Sequence, residues 1–222
     1  MNVLNRRSHL LPEMEGFSAR WYARQRGTQS QIAIVRRQAA ELTEAMPSGA
    51  VLEVAPGPGY FAIEIARLGR FQVTGLDISR TMVEISKENA AAARVTVEFS
   101  QGDASEMPFA DGSFDLVVSQ AAFKNFRRPV SALNEMNRVL RAGGRAVIQD
   151  LRKEASAADI DREVDEQKLG AMNGFVTKRI LAWLRNRAYS ASRFESLVAE
   201  SNFRTCEIKT DGIALEVRLL RH

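Results

Sequence analysis

EVAPGPGY, residues 53–60, closes an apolar run that starts at Ala50 and leads directly into a helical pattern beginning at Tyr60. Strand, glycine loop and helix in that order describe the first turn of a nucleotide-type α/β domain. Gly57, Gly59 and Ala62 match the spacing of the dinucleotide fingerprint, in which the third small residue can be alanine, and Asp77 follows at the distance expected of a ribose-binding carboxylate. Taken alone, that match is weak. Ala55 stands where such loops carry their first glycine, so a positive φ is not expected there, and its methyl slightly narrows the approach to a ligand. Pro56 and Pro58 stiffen the loop.

Outward from the loop, apolar residues alternate between helical and strand periods. Residues 30–45 carry Ile32, Val35, Ala39 and Leu42 at helical steps. Strands are expected at 50–54, 72–77, 94–99, 114–119 and 145–150. Helices are expected at 60–68, after Asp77 with a capping box of Thr81 and Glu84, and from Pro129 to the stop at Gly143 and Gly144. That alternation predicts a doubly wound parallel sheet, which binds ligands at the carboxyl ends of its strands. Beyond residue 150 the pattern changes to helical segments near 154–168, 175–187 and 190–201. Two strands, 203–210 and 213–220, then flank the turn Asp211-Gly212. The expected organisation is a single α/β domain: an N-terminal lid segment (1–29), a cofactor-binding core (30–150), a helical insertion (151–201) and a terminal hairpin (202–222).

Composition sets bounds on function. The chain has 222 residues, 45% of them hydrophobic and 26% charged, without an apolar run of the roughly 20 residues that cross a bilayer. No secretory h-region is apparent, and the single cysteine, Cys206, suits a reducing cytoplasm. The net charge of +4 is modest, and its basic clusters have helical spacing without a dense stripe of exposed aromatics, which disfavours nucleic acid as a partner.

The charge of the loop bears on the cofactor. Glu53 precedes the glycines and no Lys or Arg occurs between residues 50 and 66, so a diphosphate would meet repulsion there. A cationic, phosphate-free nucleoside such as S-adenosylmethionine would meet attraction and still offer a ribose diol to Asp77.

At this point the chain resembles the class I S-adenosylmethionine-dependent methyltransferases, in particular the ubiquinone/menaquinone-biosynthesis type. The resemblance covers about residues 48–150 and rests on VLEVAPGPGYFAIEIA, VTGLDIS, GDASEMPFADGSFDLVVS and LNEMNRVLRAGGRAVIQD, in that order. It implies a Rossmann-like seven-stranded sheet whose last strand is antiparallel. It also implies S-adenosylmethionine as cofactor, S-adenosylhomocysteine as product, no metal, and a small-molecule methyl acceptor. Position by position, Glu53, Ala55, Gly57 and Gly59 would surround the methionine part. Asp77 would take the ribose hydroxyls, Ile78 would pack on the adenine, Asp103 would accept from the adenine amino group, and Ala104 would lie beside the ring. Ser119 and Gln120 would line the mouth where donor and acceptor meet.

Other roles stay open: Asp77 as a helix cap, Asp103 as a turn former, Glu53 as a structural carboxylate. The resemblance also implies a pocket roofed by Phe17, Trp21 and Tyr22 and by the stretch around Met172, Phe175 and Trp183, with Phe123 and Phe126 nearby; core packing is the alternative for these aromatics. The two histidines, His9 and His222, lie near the termini, so a histidine base in the core sheet is excluded. Tyr22, Lys124, Asp150 and Tyr189 are the remaining candidates for a base. Methyl transfer from a sulfonium needs one only when the acceptor must lose a proton of high pKa. The competing functions are an inactive cofactor-binding regulator, an RNA or protein methyltransferase, and a nicotinamide-dependent oxidoreductase.

Overall fold

The computed structural model describes residues 14–166 and 171–222. In chain order the elements are α1 (Gly16–Arg26), α2 (Gln29–Thr43), β1 (Gly49–Val54), α3 (Tyr60–Arg67), β2 (Phe71–Asp77), α4 (Arg80–Ala93), β3 (Glu98–Gln101) and β4 (Phe114–Gln120). A 3₁₀ turn at Phe123–Asn125 follows, then α5 (Pro129–Val139), β5 (Leu140–Leu151), α6 (Ala157–Glu166), α7 (Ala171–Arg185), α8 (Ala191–Glu200), β6 (Glu207–Asp211) and β7 (Ala214–Leu220). The sheet has seven strands in the order β3-β2-β1-β4-β5-β7-β6. Strands β1 to β5 run parallel, and β7 is antiparallel to both β5 and β6.

Alternating side chains of the central strands feed two apolar layers. Leu52, Val54, Val117, Ile148 and Val217 face α5 and α8, whereas Val51, Leu116, Val118 and Val147 face α2, α3 and α4. Each fully buried Leu, Ile or Phe contributes about 1.5–3 kcal/mol, so both layers are needed to hold a sheet that is apolar on both sides. Pro129 starts α5 at a position where its missing N–H costs nothing, and Met136 and Leu133 are completely buried beneath it.

Several boundaries depart from the sequence expectation for identifiable reasons. The N-cap of α4 is Ser79, whose Oγ accepts from the Met82 amide at 3.0 Å. Thr81 instead bonds to Glu15, and Glu84 pairs with Arg80, so the expected capping box does not form. Arg94 ends α4 in the left-handed region (φ 57°), which delays β3 to residue 98. The first strand of the terminal hairpin starts at Glu207 rather than 203, because Phe203 is buried against the α5 and α8 layer.

Candidate functional site

Residues 55–59 alternate left-handed positions with prolines. Ala55, Gly57 and Gly59 have φ of 58°, 55° and 78°. The expectation that Ala55 avoids positive φ is therefore wrong. Its amide donates to Leu76 O at 2.8 Å, and that bond holds the alanine in a conformation L residues disfavour by about 1–2 kcal/mol. At Gly59 a side chain is excluded by space as well, since a Cβ would lie 2.7 Å from Phe99 Cζ.

The amides of this loop are all in use. Gly57 N donates to Asp77 Oδ2 at 2.9 Å and Gly59 N donates to Pro56 O at 3.0 Å, while Pro56 and Pro58 have no N–H. One turn further, at the start of α3, the Ala62 amide donates to Glu53 Oε2 at 2.9 Å. A helix N-terminus behind a glycine loop is where a diphosphate would bind. Here a carboxylate of the protein itself takes that place.

Both acids are buried, Glu53 at 3% and Asp77 at 6% exposure, and no cation among the described residues forms an ion pair with either. Burial pushes the Glu53 carboxyl up to about 8; the Ala62 amide opposes the rise and the Asp77 charge adds to it. Burial likewise raises Asp77, against the amides of Ser79, Gly57 and Ile78. Two buried carboxylates without a counter-charge fit a ligand that brings positive charge.

Neighbouring residues suit a nucleoside. Ile78 is 50% exposed at the end of β2, an apolar surface free to take a ring. Ser119 Oγ is completely buried without a hydrogen-bond partner among the described residues. Asp103 is committed in part to its own turn: Oδ1 accepts from the Ser105 amide at 2.8 Å and hydroxyl at 2.6 Å, and Oδ2 pairs with Arg128 at 3.3 Å. Burial acts to raise Asp103, but the Ser105 and Arg128 bonds outweigh it and hold the carboxyl below its ordinary value. Ala104 packs against the core at the same turn.

Helix α1 crosses the glycine loop and is pinned at both ends. At one end Glu15 Oε2 accepts from Thr81 N at 3.0 Å and from the Thr81 hydroxyl. In return, Thr81 Oγ1 accepts from Gly16 N at 3.0 Å, so each helix caps the other. Ser79 Oγ also donates to Met14 O at 2.7 Å. At the other end Tyr60 OH donates to Ala23 O at 3.1 Å. Between them Tyr22 lies over the loop, its Cε1 4.0 Å from where a Gly57 Cβ would stand. This reciprocal cap escaped the sequence reading, because Glu15 and Thr81 are 66 positions apart and neither lies in a local capping pattern.

The other expected residues divide. Phe17 (84% exposed), Trp21 (52%), Phe175 and Trp183 are all exposed. Phe123 is completely buried between Phe126, Tyr189 and Phe194, with ring centroids 4.9–6.1 Å away. Its expected place in a substrate pocket is therefore corrected to the core, and Tyr189 is buried in the same cluster. Lys124 and Asp150 form a buried ion pair at 2.7 Å. Asp150 also accepts from the Lys124 and Leu151 amides at 3.0 and 2.8 Å, and Lys124 Nζ donates to Ala121 O. His9 and the Met172 side chain lie outside the described residues.

Residues 52–148 match the profile of a family described as a methyltransferase domain. That profile covers β1 to β5 of the sheet, just under half of the chain, and makes this part similar to a methyltransferase domain. The chain is 38% identical over 122 residues to the demethylmenaquinone methyltransferase of Deinococcus radiodurans, covering 54% of this chain and 51% of that protein. It is 39% identical over 119 residues to the ubiquinone/menaquinone biosynthesis C-methyltransferase of Geotalea uraniireducens, covering 51% and 50%. The matched region thus spans about half the length of these relatives. In fold, the chain is similar to a Methanococcus maripaludis protein described as an S-adenosyl-L-methionine-dependent methyltransferase, with a TM-score of 0.72, 21% identity and 96% of each chain covered. The resemblance to class I methyltransferases of the ubiquinone/menaquinone type holds. No helix among the described residues is long and apolar enough to cross a membrane.

Proposed function

We propose that the chain transfers a methyl group from S-adenosylmethionine to a small apolar ring compound. Demethylmenaquinone, in the name of the Deinococcus relative, is the model for that acceptor. The observation that carries the reading is the Glu53 carboxylate at the N-terminus of α3, beside a loop whose amides are all engaged. That arrangement fills the place of a phosphate and, once the Glu53 proton is released, compensates a cation.

When bound, the cofactor supplies an activated methyl group on a sulfonium. Glu53 and Asp77 compensate its positive charge, Asp77 accepts from the ribose hydroxyls through lone pairs its amide donors leave free, and Ile78 covers the adenine. Asp103 receives the adenine amino group while staying paired with Arg128. Helix α1, with Tyr22 above the loop, excludes water from the cradle as a lid. The chain contributes mainly alignment of donor and acceptor, because the Lys124–Asp150 pair and Tyr189 are engaged in the core.

That engagement also favours a second reading, a cofactor-binding protein without transfer. Calorimetry with S-adenosylhomocysteine and with NAD tests the first reading: binding of NAD alone overturns it. Methyl release in the presence of a demethylated naphthoquinol separates the enzyme from the binding protein.

A further inference from the structure

Three polar side chains at the carboxyl end of the sheet form a hydrogen-bonded row with a direction. Gln120, Gln149 and Glu216 are cross-strand neighbours on β4, β5 and β7. Gln120 Nε2 donates to Gln149 Oε1 at 2.7 Å, Gln149 Nε2 donates to Glu216 Oε2 at 2.7 Å, and Arg218 Nε holds the other carboxylate oxygen at 2.7 Å. An amide can hydrogen-bond either way round, but a carboxylate paired with a guanidinium only accepts. Gln149 must therefore turn its NH₂ to Glu216 and its carbonyl to Gln120, and Gln120 must donate in turn.

That leaves Gln120 Oε1 as the free acceptor of the row, beside the second hydrogen of its own Nε2. The side chain is only partly buried, and this oxygen has no partner among the described residues. Gln120 lies two positions beyond Val118, whose cross-strand partner is Glu53, so it stands at the same edge as the cofactor cradle. The Ala121 amide, which donates to Gln149 O at 2.7 Å, holds the backbone there.

We infer that Gln120 Oε1 recognises a hydroxyl or N–H donor on the methyl acceptor, and that Glu216, two strands away, aims it through Gln149. The inference rests on the proposed methyl transfer and names the chemistry its acceptor must carry: an apolar ring bearing a hydrogen-bond donor. Gln120 is a specificity residue and Glu216 a positioning residue.

The test uses the protein saturated with S-adenosylhomocysteine, titrated with 1-naphthol or with 1-methoxynaphthalene, which lacks the donor. The wild type binds the naphthol about tenfold more tightly. Gln120→Leu abolishes that preference and leaves the ether's affinity unchanged. In Glu216→Lys the terminal group donates, both amides invert, and Gln120 presents N–H donors that the naphthol and ether oxygens both accept, so the preference is lost while both probes still bind. If that variant does not fold, Glu216→Gln, which permits both polarities, brings the two affinities together. Equal binding of the two probes by the wild type, no binding of either, or an unchanged preference in the Glu216 variants overturns the assignment. Failure of S-adenosylhomocysteine to bind the wild type overturns instead the methyl-transfer reading beneath it.

Discussion

The amide of Gly57 donates to Asp77 Oδ2 over 2.9 Å, so the glycine loop is tied to the carboxylate proposed to receive the ribose. Loop shape and ligand contact are therefore coupled through one side chain. Asp77→Ala is expected to weaken S-adenosylhomocysteine binding by about 100-fold or more, since two ribose hydrogen bonds to a charged group and the loop anchor are lost together. Asp77→Asn, which keeps one acceptor, loses less. Isothermal titration ranks the three proteins, and equal affinities would remove Asp77 from the site.

Glu53 links ligand binding to protons. With its carboxyl raised to about 8, chiefly by burial, the folded protein holds a proton at neutral pH that the unfolded chain has released. A raised carboxyl contributes stability that is complete below the unfolded value near 4.5 and is lost as pH rises through the folded value. The ligand-free protein should lose a few kcal/mol between pH 5 and 9 from this group, and Glu53→Gln should flatten that part of the melting curve.

A cationic ligand reverses the preference of the same carboxyl. Binding at pH 7 then releases a proton, and affinity rises as pH approaches 8. Calorimetry in buffers of different ionisation enthalpy reads the release directly. Glu53→Gln should abolish it and weaken binding by about tenfold. A buffer-independent heat in the wild type contradicts the electrostatic argument.

Ala55 holds φ at 58° without being glycine. Ala55→Gly relieves about 1 kcal/mol of strain, so thermal denaturation should show a more stable protein, with S-adenosylhomocysteine affinity unchanged within about twofold. Ala55→Val should destabilise, because a β-branched residue is a poorer occupant of that region.

Lys124→Met leaves Asp150 buried without its cation and is expected to cost about 3–5 kcal/mol in chemical denaturation. Adding Asp150→Leu should restore only part of that, since the amides of Lys124 and Leu151 then lose their acceptor.

Periodicity made the fold readable: the alternating apolar runs found β1, β2, β4 and most helices, and Asp211-Gly212 placed the hairpin. It misjudged positions where a single residue overrides the pattern, such as Arg94, whose left-handed turn consumes the start of an apparent strand. Glu53 and Asp77 could be placed beside the glycine loop from sequence because each lies at the carboxyl end of a strand that neighbours the loop, as their bonds to the Ala62 and Gly57 amides reflect. Phe123 could not be placed, because an aromatic after a strand reads alike whether it turns to a ligand or to Phe194. Glu15 and Thr81, or Gln120 and Glu216, meet only after folding, so local spacing carries no trace of either pair.

The strand order has a consequence for how the chain matures on the ribosome. β7 lies between β5 and β6, although β6 precedes it in sequence. When β6 emerges it has no place to dock, and the edge of β5, with Ala146 and Ile148 behind it, stays open until β7 inserts and pairs on both sides. Until then the nascent chain presents an unpaired strand to its surroundings, the exposed state in which such chains cross-pair. A stop codon after residue 212 would therefore yield an aggregation-prone product even though residues 14–151, with the cofactor cradle, would all have been made.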